Sequence, residues 1–256
     1  MKNNKKYSKT MIAKAVAACL IGAVFTAPTA WAGFQTIDLS GIVNASDSIL
    51  INGSTFPTGN QTYNGVPFNI ANVAIPGGGF NNYWMGGGAQ LLPGTYSTTL
   101  TFGNILDVTN VYTMINTGWG TTNTNPTPLN IAFNAGNGGA SYTKSLVGNV
   151  DVRDYNNGFY TTTINGTTTT NAFTNGQGQR LDMQNYALPS YFLTDGLASI
   201  TLTDSGSRGY ERAIFSALTL QTSAGGPAAV PEPASVALLG IGLLGLMAGL
   251  RYRRFG

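Results

Sequence analysis

The chain has 256 residues, a formal charge of +3, a pI of about 9.0 and only 9% charged residues. It holds 34 glycines, one cysteine and no histidine. The missing histidine excludes a Ser-His-Asp triad, a Cys-His pair and histidine-ligated zinc, while the length suits one or two domains with a sizeable core.

A basic pI points to nucleic acid or anionic membrane only if the basic residues lie on the working domain. The first ten residues hold Lys2, Lys5, Lys6 and Lys9, and an apolar run from Met11 to Phe25 follows, broken only by Lys14. Pro28 and the small-residue pattern Ala30-Trp31-Ala32 then precede Gly33. A basic start, a short apolar stretch and an A-x-A site describe a secretory signal peptide over 1–32, removed by signal peptidase between Ala32 and Gly33. The run is short for a membrane span. Cys19 follows Val16-Ala17-Ala18 in a lipoprotein-like arrangement, but apolar residues continue past it, so cleavage before Gly33 is the expectation.

From Gly33 to about residue 223 the pattern is that of strands. Tyr96, Thr98, Leu100 and Phe102 alternate with Ser97, Thr99 and Thr101. Leu129, Ile131 and Phe133 alternate with Asn130, Ala132 and Asn134, and Ile200 and Leu202 with Ser199, Thr201 and Thr203. Period two with Thr, Tyr, Ile and Phe indicates strands with one buried face. Longer apolar candidates lie at Val66–Ala74, Val108–Ile115 and Ala213–Leu220. Asn-Gly pairs at 52–53, 64–65, 137–138, 157–158, 165–166 and 175–176 are turn signals, because a type I′ hairpin needs positive φ at both central residues. Asn165-Gly166, between Phe159–Ile164 and Thr167–Phe173, reads as a hairpin. The expected fold is all-β: one antiparallel β-sandwich of jelly-roll type over 33–223, flanked by a signal helix and a C-terminal transmembrane helix. A β-helix is the alternative for so much Gly, Asn and Thr, but no fixed period supports it.

This domain keeps five basic and nine acidic residues up to residue 229, a net charge of −4, so a nucleic-acid partner is not expected. The cysteine leaves with the signal, and the domain rests on its core and sheet hydrogen bonds. Its most polar cluster runs from Asp151 to Gly158, where Asp151, Asp154 and Asn156 could offer oxygens to a structural calcium ion. The alternative is a strand end entering a turn, with Asp and Asn bonding their own backbone. No other cofactor is expected. Asp204 is expected to bridge to Arg208 or Arg212 across a turn. Gly77–Gly79 and Gly86–Gly88 bracket Tyr83 and Trp84 and suggest a loop, while Trp119 follows a strand candidate. These three aromatics are the candidate platforms for stacking sugar rings, with core packing as the alternative. Sandwich pattern, aromatics and Asn-rich loops together resemble carbohydrate-binding jelly-roll modules. A secreted glycoside-cleaving enzyme would need two facing carboxylates, and Glu211, the domain's one glutamate, sits beside Arg212. Catalysis is the alternative expectation, and a non-catalytic role the main one.

Residues 224–233 form a Gly/Ala/Pro-rich linker ending in Pro231-Glu232-Pro233. Residues 234–250, ASVALLGIGLLGLMAGL, are apolar and at the short limit for a transmembrane helix. Arg251, Arg253 and Arg254 in the tail at 251–256 hold that end in the cytoplasm under the positive-inside rule. The ordered trio of Pro-Glu-Pro motif, Gly/Leu-rich span and arginine cluster resembles the PEP-CTERM sorting signal. The resemblance implies recognition by an exosortase, removal of the tail near the motif, and export to the surface or matrix of a Gram-negative bacterium. It also implies a link to exopolysaccharide and biofilm.

Overall fold

The computed structural model describes residues 33–46, 56–88, 94–118, 129–156, 161–205 and 212–223. The signal segment, Asn52-Gly53, Trp119, Asn157-Gly158, Arg208, Glu211, the linker with Pro231-Glu232-Pro233, the apolar run and the terminal arginines lie outside them. No helix among the described residues is long and apolar enough to cross a membrane.

The domain is built almost entirely of antiparallel strands. The N-terminal third supplies β1 (Gly33–Ile37), β2 (Gly59–Tyr63), β3 (Val66–Ile70), β4 (Val73–Ala74), β5 (Phe80–Asn81) and β6 (Trp84–Met85). The longer strands follow as β7 (Tyr96–Ile105), β8 (Val108–Gly118), β9 (Leu129–Ala135), β10 (Ser141–Ser145), β11 (Thr169–Thr174) and β12 (Arg180–Ala187). A five-residue helix, α1 (Tyr191–Asp195), leads into β13 (Leu197–Asp204), and β14 (Arg212–Thr222) closes the domain. Among the described residues the largest sheet has the order β1-β14-β8-β12-β11, with β6 also on β14, and a four-stranded sheet has the order β10-β9-β13-β7, while β2-β3 and β4-β5 form separate two-stranded sheets.

The alternation read from the sequence places the core. In β9, Leu129, Ile131 and Phe133 are buried and the residues between them are not, a pattern shared by Ile200 and Leu202 in β13. These side chains meet Val111, Ile115, Phe215, Leu218 and Leu220 of the six-stranded sheet in one apolar cluster between the two sheets. Burying alternate residues of both sheets is the main stabilising term for this arrangement.

The six-stranded sheet is covered on its second face as well, which explains why β14 is buried without a break from Arg212 to Leu220. Met114, Ile214, Ala217, Leu181 and Met183 pack there with Val66, Phe68 and Ile70 of the β2–β3 hairpin. A bulge between Phe215 and Ala217 resets the phase of β14. Before it Ala213 and Phe215 face the inter-sheet core, and after it Leu218 and Leu220 do. One extra residue, Ser216, thus shifts the inward set from odd to even positions.

Asn64 and Gly65 join β2 to β3 with φ of 50° and 81°, as the type I′ expectation requires. The hairpin expected at Asn165-Gly166 does not form. The Asn165 side-chain oxygen instead accepts from the backbone N–H groups of Thr167, Thr168 and Thr169 at 2.8, 3.0 and 3.0 Å, capping the entry to β11. Such local bonding lets Asn replace a backbone ladder with a side-chain turn. The partner of β11 is β12, joined through Asn175, whose side-chain oxygen accepts from the backbone of Gln177 and Gln179.

Gly196 connects α1 to β13 at φ 70° and ψ 165°, a region essentially reserved for glycine. A Cβ there would also collide with the Asn104 amide and approach Leu106 to 3.0 Å. Gly196→Ala is expected to cost about 2–3 kcal/mol, read as a lower urea midpoint at unchanged slope. A cost below about 0.5 kcal/mol would show that this connection relaxes freely.

Candidate functional site

Tyr83 and Trp84 do not stand on a loop. The glycines on either side turn the chain, with φ of 92°, 101° and 88° at Gly77, Gly78 and Gly79, so that Trp84 and Met85 run along β14 while Tyr83 bridges to Ala45. Trp84 pairs with Phe215 and enters the inter-sheet core, while Tyr83 and Met85 point into the second core. Tyr83 is 0% exposed and its hydroxyl donates to the Ser46 carbonyl at 2.7 Å; Trp84 is 6% exposed. Neither ring offers a face to a sugar, and this corrects the stacking expectation for both. The reason is the strand period: two adjacent aromatics on a strand covered on both sides are buried in opposite cores.

The polar cluster at Asp151–Asn156 has a structural task. Strands β8 and β12 pair from Asn110 to Met114 and then part, and the chain from Val152 to Asn156 fills the gap. Thr117 N–H donates to the Arg153 carbonyl at 3.0 Å, Tyr155 N–H to the Thr117 carbonyl at 2.8 Å, and Arg180 N–H to the Tyr155 carbonyl at 2.8 Å. A short wedge thus bonds to β8 on one side and β12 on the other, so the buried backbone groups stay paired.

Side chains complete the joint. The Gln184 amide oxygen accepts from Ile115 N–H and the Thr113 hydroxyl, both at 2.9 Å, and its nitrogen donates to the Ile115 carbonyl at 2.8 Å. Asn116 donates to the Asp182 carboxylate at 2.8 Å and accepts from Asp182 N–H at 2.9 Å. Arg153 grips the same carboxylate with two bonds, Nε to Oδ2 at 2.8 Å and Nη2 to Oδ1 at 2.7 Å. This fork-to-fork geometry is the strongest form of a charge pair. Arg180 lies beside it and donates Nε to the Asp154 carbonyl at 2.9 Å. Burial, and then the charge of Arg153, lower the Arg180 pKa, with Asp182 and Asp154 opposing.

The expected calcium ligands are turned toward different protein partners. Asp151 accepts from Val147 N–H at 3.0 Å and lies 3.4 Å from the Lys144 ammonium. Asp154 accepts from Asn156 N–H at 2.8 Å, a local Asx turn. Among the described residues no three His, Cys, Asp or Glu side chains are grouped to hold a metal. Asp204 and Arg212 are both fully buried near one end of the two sheets. The Asp204 carboxylate accepts from Ala213 N–H at 2.9 Å, and the Arg212 guanidinium lies 5.7 Å over the Tyr96 ring. Gly86 abuts Asp204 so closely that any Cβ would strike the carboxylate.

One surface carries neither aromatics nor acids. It is the outer face of the four-stranded sheet, whose outward residues are all short and uncharged: Ser97, Thr99 and Thr101 in β7, and Ser199, Thr201 and Thr203 in β13. Strands β9 and β10 continue it with Asn130, Ala132 and Asn134 and with serine and threonine. The signal for it was in the outward half of the same alternation that marked the core.

The C-terminal tail carries the sorting information. Residues 229–254 match the PEP-CTERM protein-sorting motif. A PEP-CTERM signal marks an exported bacterial protein recognised by an exosortase, and its place is the cell surface or the extracellular space. No curated protein matches the chain. Among solved structures it is similar to an exo-beta-agarase, with 11% identity and a TM-score of 0.30 over 68% of this chain and 24% of that one. A likeness of that size bears on neither fold detail nor activity.

Proposed function

We propose that this protein is a non-catalytic component of the cell surface or extracellular matrix of a Gram-negative bacterium, with an adhesive, exopolysaccharide-associated role after an exosortase has removed its tail. The PEP-CTERM match at residues 229–254 carries this reading, because that signal is a mark of exported proteins processed by an exosortase. The buried carboxylates agree with a structural role. Asp182 is held by Arg153 and Asn116, Asp151 by Val147 and Lys144, and Asp204 by Ala213.

Intact mass of the secreted protein is the direct test. The expected form begins at Gly33 and lacks the segment 234–250. Replacing Pro231, Glu232 and Pro233 by alanine together is expected to leave the unprocessed chain in the membrane fraction. Mature protein that still carries the apolar segment would overturn the processing. Shortening of a polysaccharide by the mature protein would overturn the non-catalytic role.

A further inference from the structure

We propose that the outer face of the β10-β9-β13-β7 sheet is a contact surface for uncharged, insoluble polysaccharide. The inference deepens the matrix-associated reading above and rests on it. The face is a lattice set by strand register. Ser97 stands opposite Thr203, Thr99 opposite Thr201 and Thr101 opposite Ser199, and β9 and β10 extend each of these rows. Three rows two residues apart, on four strands, cover an area about 14 Å on a side.

Three properties define the partner. The first is charge. The four strands contain two charged residues, Lys144 and Asp204, and both fall in the inward phase: Lys144 reaches Asp151, and Asp204 is buried. A face with no ionic group is complementary to a neutral partner and gives no attraction to a polyanion or a polycation. The second is hydrogen-bond character. A Ser or Thr hydroxyl both donates and accepts, so it can meet a sugar hydroxyl in either sense. The third is order. Ser97 and Thr203 oxygens lie 3.0 Å apart, those of Thr99 and Thr201 2.9 Å apart, and Asn134 donates to Ser199 at 3.0 Å. These lateral bonds fix short side chains before any partner arrives, which lowers the entropy lost on contact. A broad face of regularly spaced, pre-ordered hydroxyls suits the repeating surface of packed chains better than a single chain, which a groove would hold.

Among the described residues the face is open to solvent: Ser97, Thr99, Thr101, Ser141, Thr143 and Ser145 are exposed, and Ser199, Thr201 and Thr203 are half-buried. 

The test is co-sedimentation of the processed, secreted protein with microcrystalline cellulose and agarose particles, with cross-linked alginate as the charged contrast. Binding to a neutral particle is expected and should be unchanged between 0.05 and 1 M salt, where ionic contacts would weaken. Thr99→Lys with Thr201→Lys is expected to lower the apparent affinity by at least about tenfold, since two ammonium groups must lose water without finding a partner. Both positions lie on the open sheet face, but they stand directly opposite each other and share a hydrogen bond, so the two lysines should lower the melting midpoint by a few degrees and binding is read well below it; Thr99→Ser with Thr201→Ser serves as a milder pair that should keep most binding. If wild type binds a neutral particle and the lysine variant binds equally well, the surface assignment fails and the matrix reading stands. Failure of wild type to bind any of the three particles would overturn both. Preferential binding to alginate that fades with salt, salt-independent self-association lost in the lysine variant, or adsorption to ice without polysaccharide binding would each replace this partner with another.

Discussion

Arg153→Met is expected to destabilise the domain by about 3–5 kcal/mol, because it leaves the Asp182 carboxylate charged, buried and stripped of its two strongest donors. Asn116 would still donate to it at 2.8 Å, but a neutral amide cannot match a bidentate guanidinium. With a urea slope of about 2–3 kcal/mol/M for a domain of this size, the midpoint should fall by roughly 1–2 M. The damage should also be local. The Thr117 amide, bonded to the Arg153 carbonyl, and the Tyr155 amide, bonded to Thr117, should lose hydrogen-exchange protection before the rest of the sheet. Adding Asp182→Leu to Arg153→Met removes the orphaned charge and should return about half of the lost stability, which keeps the comparison readable if the single variant does not fold. A loss under about 1 kcal/mol for the single variant would mean that the pair is effectively solvated.

How much of this could be read in advance depends on how local the cause was. The alternation of β7, β9 and β13 was legible because a half-buried strand writes its two faces into every second residue. Asn64-Gly65 was legible because both residues must take positive φ, and both do. Asn165-Gly166 carried the same signal and formed a side-chain cap, since three threonine N–H groups following Asn165 were available to its amide. Trp84 and Tyr83 were misread for a different reason. Their glycine-rich flanks are those of a loop, and the partners that bury them are distant in sequence: β14, more than a hundred residues onward, for Trp84, and Ala45 and Ser46 for Tyr83. The wedge at Val152–Asn156 is equally nonlocal. Nothing within Asp151–Gly158 reveals that β8 and β12 separate beyond Met114 and need a third segment between them. The polar residues that suggested a calcium loop are those a wedge needs to keep its backbone bonded inside a sheet.

Phe133→Ala tests the inner half of the strand whose outer half forms the lattice. Phe133 is 0% exposed, in the middle of β9, with its ring stacked 5.8 Å from Tyr142 and tilted 5.4 Å from Tyr186. Removing it deletes a large apolar group and leaves a cavity between the sheets, at a cost of about 3–5 kcal/mol. Phe133→Leu, which fills much of that space, should cost about 1–2 kcal/mol. The two variants should differ in urea midpoint by about 1 M or more. Ala132 and Asn134 flank Phe133 on the opposite face, so neither variant changes a lattice group. Polysaccharide binding measured where Phe133→Ala is still folded should therefore match wild type, whereas Thr99→Lys with Thr201→Lys should bind poorly while losing much less stability than Phe133→Ala. This double dissociation follows from the period of two, which assigns stability to one set of residues and contact to the set between them. Equal loss of binding in the Phe133→Ala variant while folded would show that the lattice depends on packing beneath it, and that the two faces of β9 are coupled.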